Sequence, residues 1–214
     1  MKKETQKRFL AAAGLLAAFG VWTCLVCLVD VRPIGPQGSA VGFATLNGFV
    51  HALTGVHMTL YVITDWLGLV PLAAVLGFAL LGLVQWCRRK HLQRVDRSIL
   101  TLGGFYLVVM AAYLFFERVV INYRPVLIEG FLEASYPSST TMLALCVLVT
   151  AMLQLRERMK SGALRSLVLA ALAVFAAFLV VGRVISGVHW LSDIIGGMLL
   201  SAGLIVAYAA AAKE

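Results

Sequence analysis

The 214-residue chain is 61% AVILMFWYC and 13% charged, with 18 Lys and Arg against 10 Asp and Glu for a formal net charge of +8. Soluble domains carry roughly 25% charged residues, so a water-soluble protein is excluded, and with it a nucleic-acid reading of the basic excess. Charge-free stretches near the roughly 20 residues that cross a bilayer recur from end to end, so the chain is a polytopic membrane protein and the side on which each cation falls becomes informative.

Uncharged windows cover 9–29, 39–64, 66–87, 98–116, 134–155, 166–182 and 194–212. The first follows Lys2, Lys3, Lys7 and Arg8 as a leader peptide would, but it is long enough to span and is read as the first span. The second window differs from the rest: it holds Asn47, His51, His57 and four threonines, follows a turn-rich segment at 32–38, and is parted from the third only by Asp65. One residue cannot return the chain between two full spans, so 39–64 is assigned to interfacial or re-entrant helices. The expected fold is all-α, a six-transmembrane-helix bundle in a single membrane-embedded domain over 1–214, with spans near 9–30, 66–87, 98–117, 139–155, 165–183 and 191–211. Gly196 and Gly197 suit close helix packing in the last span.

With six spans, one face collects Lys2, Lys3, Lys7, Arg8, Arg88, Arg89, Lys90, Arg94, Arg97, Arg156, Arg158, Lys160, Arg165 and Lys213, fourteen of the eighteen cations. The other holds Arg32, Arg118, Arg124 and Arg183 with Asp30, Asp65, Glu117, Glu129, Glu133 and Asp193. The positive-inside rule then puts both termini in the cytoplasm and the second face outside an inner (plasma) membrane. Cys24, Cys27, Cys87 and Cys146 sit in or beside apolar runs and read as helix filler. The four histidines are dispersed, so no metal site and no cofactor are expected.

Three polar clusters fall at the outer helix ends: Glu117-Arg118 with Asn122-Tyr123-Arg124-Pro125; Ser135-Tyr136-Pro137-Ser138-Ser139-Thr140-Thr141; and Gly182-Arg183 with Ser186-Gly187, His189-Trp190 and Ser192-Asp193. His189 and Asp193 are four residues apart, so on a helix they share a face, and the carboxylate would orient the imidazole as nucleophile or base. Arg124 and Arg183 offer bidentate donors for a phosphoryl group, and Ser138, Ser139 and their neighbours offer hydroxyls and free N–H groups at a helix N-terminus. Together the three clusters favour an anion site.

This pattern resembles the type 2 phosphatidic acid phosphatase superfamily, whose membrane members are six-span lipid phosphatases. The family has a lysine, six residues and Arg-Pro; then Pro-Ser-Gly-His; then Ser-Arg, five residues, His, three residues and Asp. The chain matches at Arg124-Pro125, Pro137-Ser138, Arg183, His189 and Asp193, and departs at Glu117 for lysine, Ser139 for glycine, Thr140 for histidine and Gly182 for serine. The resemblance implies that His189 forms a phosphohistidine, that Asp193 orients it, that Arg124 and Arg183 bind the transferring group, and that no metal takes part. The family's acid histidine is replaced by Thr140, whose hydroxyl is a poor proton donor. An isoprenoid pyrophosphate such as undecaprenyl pyrophosphate, whose leaving phosphate is already stable as an anion, is therefore favoured over phosphatidylglycerol phosphate or phosphatidate. The alternative is a catalytically impaired or inactive member that binds a phospholipid or phosphate. Glu117 is expected to pair with Arg124 or Arg118, and His51 and His57 are left outside the site. The expected partners are the lipid and the bilayer, with no nucleic acid; homodimerisation stays open.

Overall fold

The computed structural model describes residues 2–212; Lys213, counted above among the cations of one face, lies outside them. The helices are α1 (Lys2–Leu28), α2 (Ala44–Thr54), α3 (Met58–Leu67), α4 (Val70–Arg89), α5 (Arg97–Arg118), α6 (Ser139–Arg158), α7 (Ala163–Ile185) and α8 (Leu191–Ala211). Among the described residues β pairing is limited to isolated bridges, Arg32 with Val41, Tyr123 with Ala134 and Ile128 with Phe131. Six stretches are long and apolar enough to cross a bilayer: Lys3–Leu28, Met58–Arg89, Arg97–Arg118, Ser139–Arg158, Ala163–Ile185 and Leu191–Ala211. The chain is a multi-pass membrane protein.

The segment 39–64 divides where the sequence reading kept it whole. Its first part forms the short helix α2, whereas residues 58–64 begin the second crossing stretch, which passes through a break at Gly68–Leu69 into α4. Asp65, taken as a boundary because it is charged, is instead carried within α3, where its carboxylate accepts from Arg183 of α7 at 2.6 Å. A charge that finds a partner on the neighbouring helix does not have to end a span.

α1 lies along α8, where Trp22 Nε1 donates to the Ser192 carbonyl at 3.1 Å. α6 is the central helix. It shares one core with α5 and α8 through Leu102, Phe105, Val109, Met142, Cys146, Leu200 and Tyr208, and a second with α7 through Ala144, Leu148, Ala176 and Leu179. Gly196 of α8 lies under the Tyr136 ring, where a Cβ would stand 2.6 Å from the nearest ring carbon. Large side chains such as Leu76, Leu80, Leu107 and Val174 stay exposed on the outside, as a lipid-facing surface requires.

Helix direction brings the C-terminal ends of α1, α5 and α7 and the N-terminal ends of α6 and α8 to one end of the bundle, together with α2 and α3. The opposite end is tied by Arg158, which donates to Gln154 Oε1 at 3.0 Å, Asp96 Oδ2 at 3.2 Å and Ser98 Oγ at 3.0 Å. At the first end, the turn that delivers His189 depends on Gly187, which has φ +66° and would place a Cβ 1.8 Å from the Gly55 carbonyl oxygen. A side chain there meets both a left-handed backbone and a collision, a cost of roughly 1–3 kcal/mol for the backbone alone. Gly187→Ala is therefore expected to lower the melting temperature in detergent by several degrees, and an unchanged melting curve would refute this account of the turn.

Candidate active site

His189 is 5% exposed and lies in the turn before α8, not on it. The shared helical face expected for His189 and Asp193 therefore does not form, because the helix begins at Leu191. Ser135 joins them instead: its Oγ lies 3.0 Å from His189 Nδ1 and donates to Asp193 Oδ2 at 2.5 Å. Having given its proton to the carboxylate, the hydroxyl accepts from Nδ1–H, which assigns the lone pair to Nε2. Nε2 in turn lies 3.3 Å from Arg124 Nη1 and accepts from it. The result is an oriented imidazole whose Nε2 lone pair faces a guanidinium.

Asp193 has no exposed surface. Its Oδ2 also accepts from the Trp190 N–H at 3.0 Å, so the same carboxylate caps α8. Oδ1 accepts from Asn122 Nδ2 at 3.1 Å and Ser192 Oγ at 3.3 Å. Asn47 on α2 stands behind, donating to Ser192 Oγ at 2.9 Å and accepting from the Ser192 N–H at 3.1 Å. Ser135, Asn122 and Asn47 were not singled out from the sequence. Ser135 and Asn122 lie inside the polar clusters, where nothing in spacing distinguished them, and Asn47 was the polar oddity of the second window.

The two arginines meet around Tyr61. The Arg183 guanidinium carbon is 4.9 Å from the ring centroid and that of Arg124 is 5.7 Å away. Arg183 is 1% exposed and spends Nη2 on Asp65, while its Nε and Nη1 have no hydrogen-bond partner among the described residues. Buried donors without acceptors are costly and mark a place where an anion fits. Arg124 is steered by an ion pair from its Nε to Glu133 Oε2 at 3.0 Å and by its backbone N–H to the Glu133 carbonyl at 3.0 Å.

A cleft of about 550 Å³ opens beside this group, lined among others by Asp65, Tyr113, Glu117, Arg124, Glu133, Ser139 and Thr140. Ser139 thus faces the cleft, whereas Ser138 is fully buried and its Oγ accepts from the Thr141 N–H at 3.4 Å as the cap of α6. Glu117 does not pair with Arg124 or Arg118: the carboxylate on Arg124 is Glu133, and Glu117 makes no ion pair among the described residues. Gly182 has a packing reason, since a Cβ there would lie 2.6 Å from Thr64 Cγ2 on α3. His51 packs on Trp190 with ring centroids 5.4 Å apart, and His57 Nε2 lies 2.8 Å from the Thr54 carbonyl, so neither touches His189.

Residues 118–214 match the family model described as PAP2 superfamily. No curated protein matches the chain significantly. Among solved structures, the crystal structure of the first transmembrane PAP2 type phosphatidylglycerolphosphate phosphatase from Bacillus subtilis is similar over 93% of each chain, with a TM-score of 0.52 and 17% identity. At that identity the likeness is one of fold.

Burial, reinforced by Arg124 and Arg183, holds the His189 imidazole well below its ordinary range. Unfolded, it takes up a proton near pH 6.5; folded, it stays neutral, so the unfolded state binds more protons and stability falls as the pH drops below about 6.5. Melting in detergent is expected to weaken between about pH 7.5 and 5.5. His189→Gln removes most of that decline, leaving the part due to His51, which burial also holds down. Parallel curves for the two proteins would contradict a neutral buried His189.

Proposed function

We propose, from the match of residues 118–214 to the PAP2 superfamily model and the shared fold of a PAP2 type phosphatase, that the chain is a membrane lipid phosphatase in which His189 attacks the phosphorus of a lipid phosphate. The observation that carries this reading is the lone pair of His189 Nε2 turned toward Arg124, with Arg183, two of whose donors are unoccupied, packed on the same Tyr61 ring as Arg124. In this reading the phosphoryl oxygens take the free Arg183 N–H groups and draw Arg124 Nη1 from Nε2, which frees the lone pair for attack. The imidazole gains positive charge as the P–N bond forms, and Ser135 passes the stabilising field of Asp193 to it. Water then hydrolyses the phosphohistidine. The end of the bundle that holds the site carries the fewer cations of the chain, which supports a site on the extracytoplasmic face with both termini in the cytoplasm.

The absence of an acid histidine at 140 favours an isoprenoid pyrophosphate, but the cleft weighs the other way. Asp65, Glu117 and Glu133 line the space beside Arg124, where they oppose a second phosphate. This favours a lipid monophosphate with an uncharged leaving group, such as phosphatidate, over undecaprenyl pyrophosphate. The Bacillus subtilis protein of the same fold is itself a phosphatidylglycerolphosphate phosphatase.

The test is phosphate release in detergent from these three lipids. Release from a monophosphate is expected, falling to background in His189→Ala. Ser135→Ala removes one hydrogen bond to a charged group, about 1.5–3 kcal/mol, and should lower kcat roughly ten- to a hundredfold with KM little changed. Lipid binding without turnover, retained in His189→Ala and lost in Arg183→Ala, would replace the phosphatase with a lipid-binding role.

A further inference from the structure

Breaking a phosphate ester of an ordinary alcohol needs a proton on the departing oxygen, and the residue in the family's acid position, Thr140, has none to give at neutral pH. The cleft offers few replacements. Arg124 does not release a proton in a protein, and a phenol such as Tyr113 or Tyr123, at the same cleft, is by its chemistry a far weaker acid than a carboxyl. Three carboxyl groups remain, and the structure sorts them. Asp65 is committed to Arg183 at 2.6 Å and Glu133 to Arg124 at 3.0 Å, so each is engaged in steadying an arginine. Glu117 has no such commitment among the described residues.

Its position suits the task. Glu117 lies on the last turn of α5, four residues after Tyr113, so the two share a helix face. It lines the large cleft together with Arg124, Ser139 and Thr140, and it also lines a narrow recess that reaches Ser135, the residue bonded to His189. One side chain thus borders both the cleft beside Arg124 and the recess that reaches Ser135.

We propose that Glu117 is the proton donor to the leaving oxygen, taking over the work for which position 140 carries no acid; this rests on the phosphatase reading above. An anionic phosphoryl group is repelled by a carboxylate but hydrogen-bonded by a carboxylic acid, so it is the acid form of Glu117 that serves this role. As His189 Nε2 forms its bond to phosphorus, the P–O bond to the alcohol breaks and the departing oxygen takes the Glu117 proton. The products are the free alcohol, phosphohistidine and a Glu117 carboxylate. In the second half, water attacks phosphorus while Glu117 takes one of its protons; the P–N bond breaks, phosphate leaves, and both residues return to their starting forms.

A proton donor matters for a poor leaving group and hardly at all for one that departs as a stable anion. The experiment compares Glu117→Gln with wild type on phosphatidate and on p-nitrophenyl phosphate, both in detergent. Turnover of phosphatidate is expected to fall roughly 10²- to 10⁴-fold, while p-nitrophenyl phosphate hydrolysis by the same preparation stays within a few-fold of wild type, which also certifies the fold. Equal loss on both substrates, or no loss on either, overturns the acid role while leaving the phosphatase reading intact. A wild-type protein inert toward both removes the phosphatase reading and this proposal with it.

Discussion

Asp193 is a carboxylate with no contact with solvent, and a buried charge of that kind persists only if hydrogen bonds replace its water. Its donors arrive from separate parts of the chain: Asn122 from the loop after α5, Ser135 from the loop before α6, Trp190 and Ser192 from the start of α8. Asn47 on α2 completes the set through Ser192. Leaving one such donor or acceptor unmatched costs about 1–3 kcal/mol, so loops with little regular structure of their own are drawn to a common centre. The orientation of His189 and the approach of Arg124 follow from that centre and not from helix packing.

Charge is layered around it. The deepest layer is Asp193, the next is the pair of arginines about Tyr61, and the outermost is the set of carboxylates facing the cleft. Asp65 and Glu133 compensate the arginines while the site is empty, which makes a buried guanidinium such as Arg183 tolerable. An anion bound as proposed would compete with these resident carboxylates, so its affinity would be a difference between two sets of ion pairs. Such a site would discriminate by geometry: only a group that reaches the unoccupied Nε and Nη1 of Arg183 would gain something the carboxylates do not already supply.

The spans were legible because each is a long apolar run with charge at its ends, and because the arginines and His189 stand in short polar clusters that have no lipid-facing explanation. Two features were not. Residues 58–64 were read as interfacial since Asp65 looked like a boundary, and a sequence does not show that its charge is met by Arg183 118 positions later. The link between His189 and Asp193 was drawn as direct because their spacing fits a helix, whereas the helix starts between them and a serine from another loop fills the gap. Both errors have one source: polar side chains near a membrane are satisfied by partners distant in sequence, and periodicity carries no information about those partners.

The contact between Gly182 and Thr64 links two positions that no motif connects. α7 comes so close to α3 that position 182 has no room for a side chain while Thr64 keeps its Cγ2 methyl. Thr64 is fully buried and turns its hydroxyl back onto the Leu60 and Tyr61 carbonyls, so its methyl has no freedom to withdraw. Tyr61, one turn away, is the ring on which both arginines pack. Positions 64 and 182 therefore constitute one unit of sequence change: 182 can accept a side chain without displacement of α3 only once 64 has become smaller, and a change made at 182 first shifts the helix that carries Tyr61.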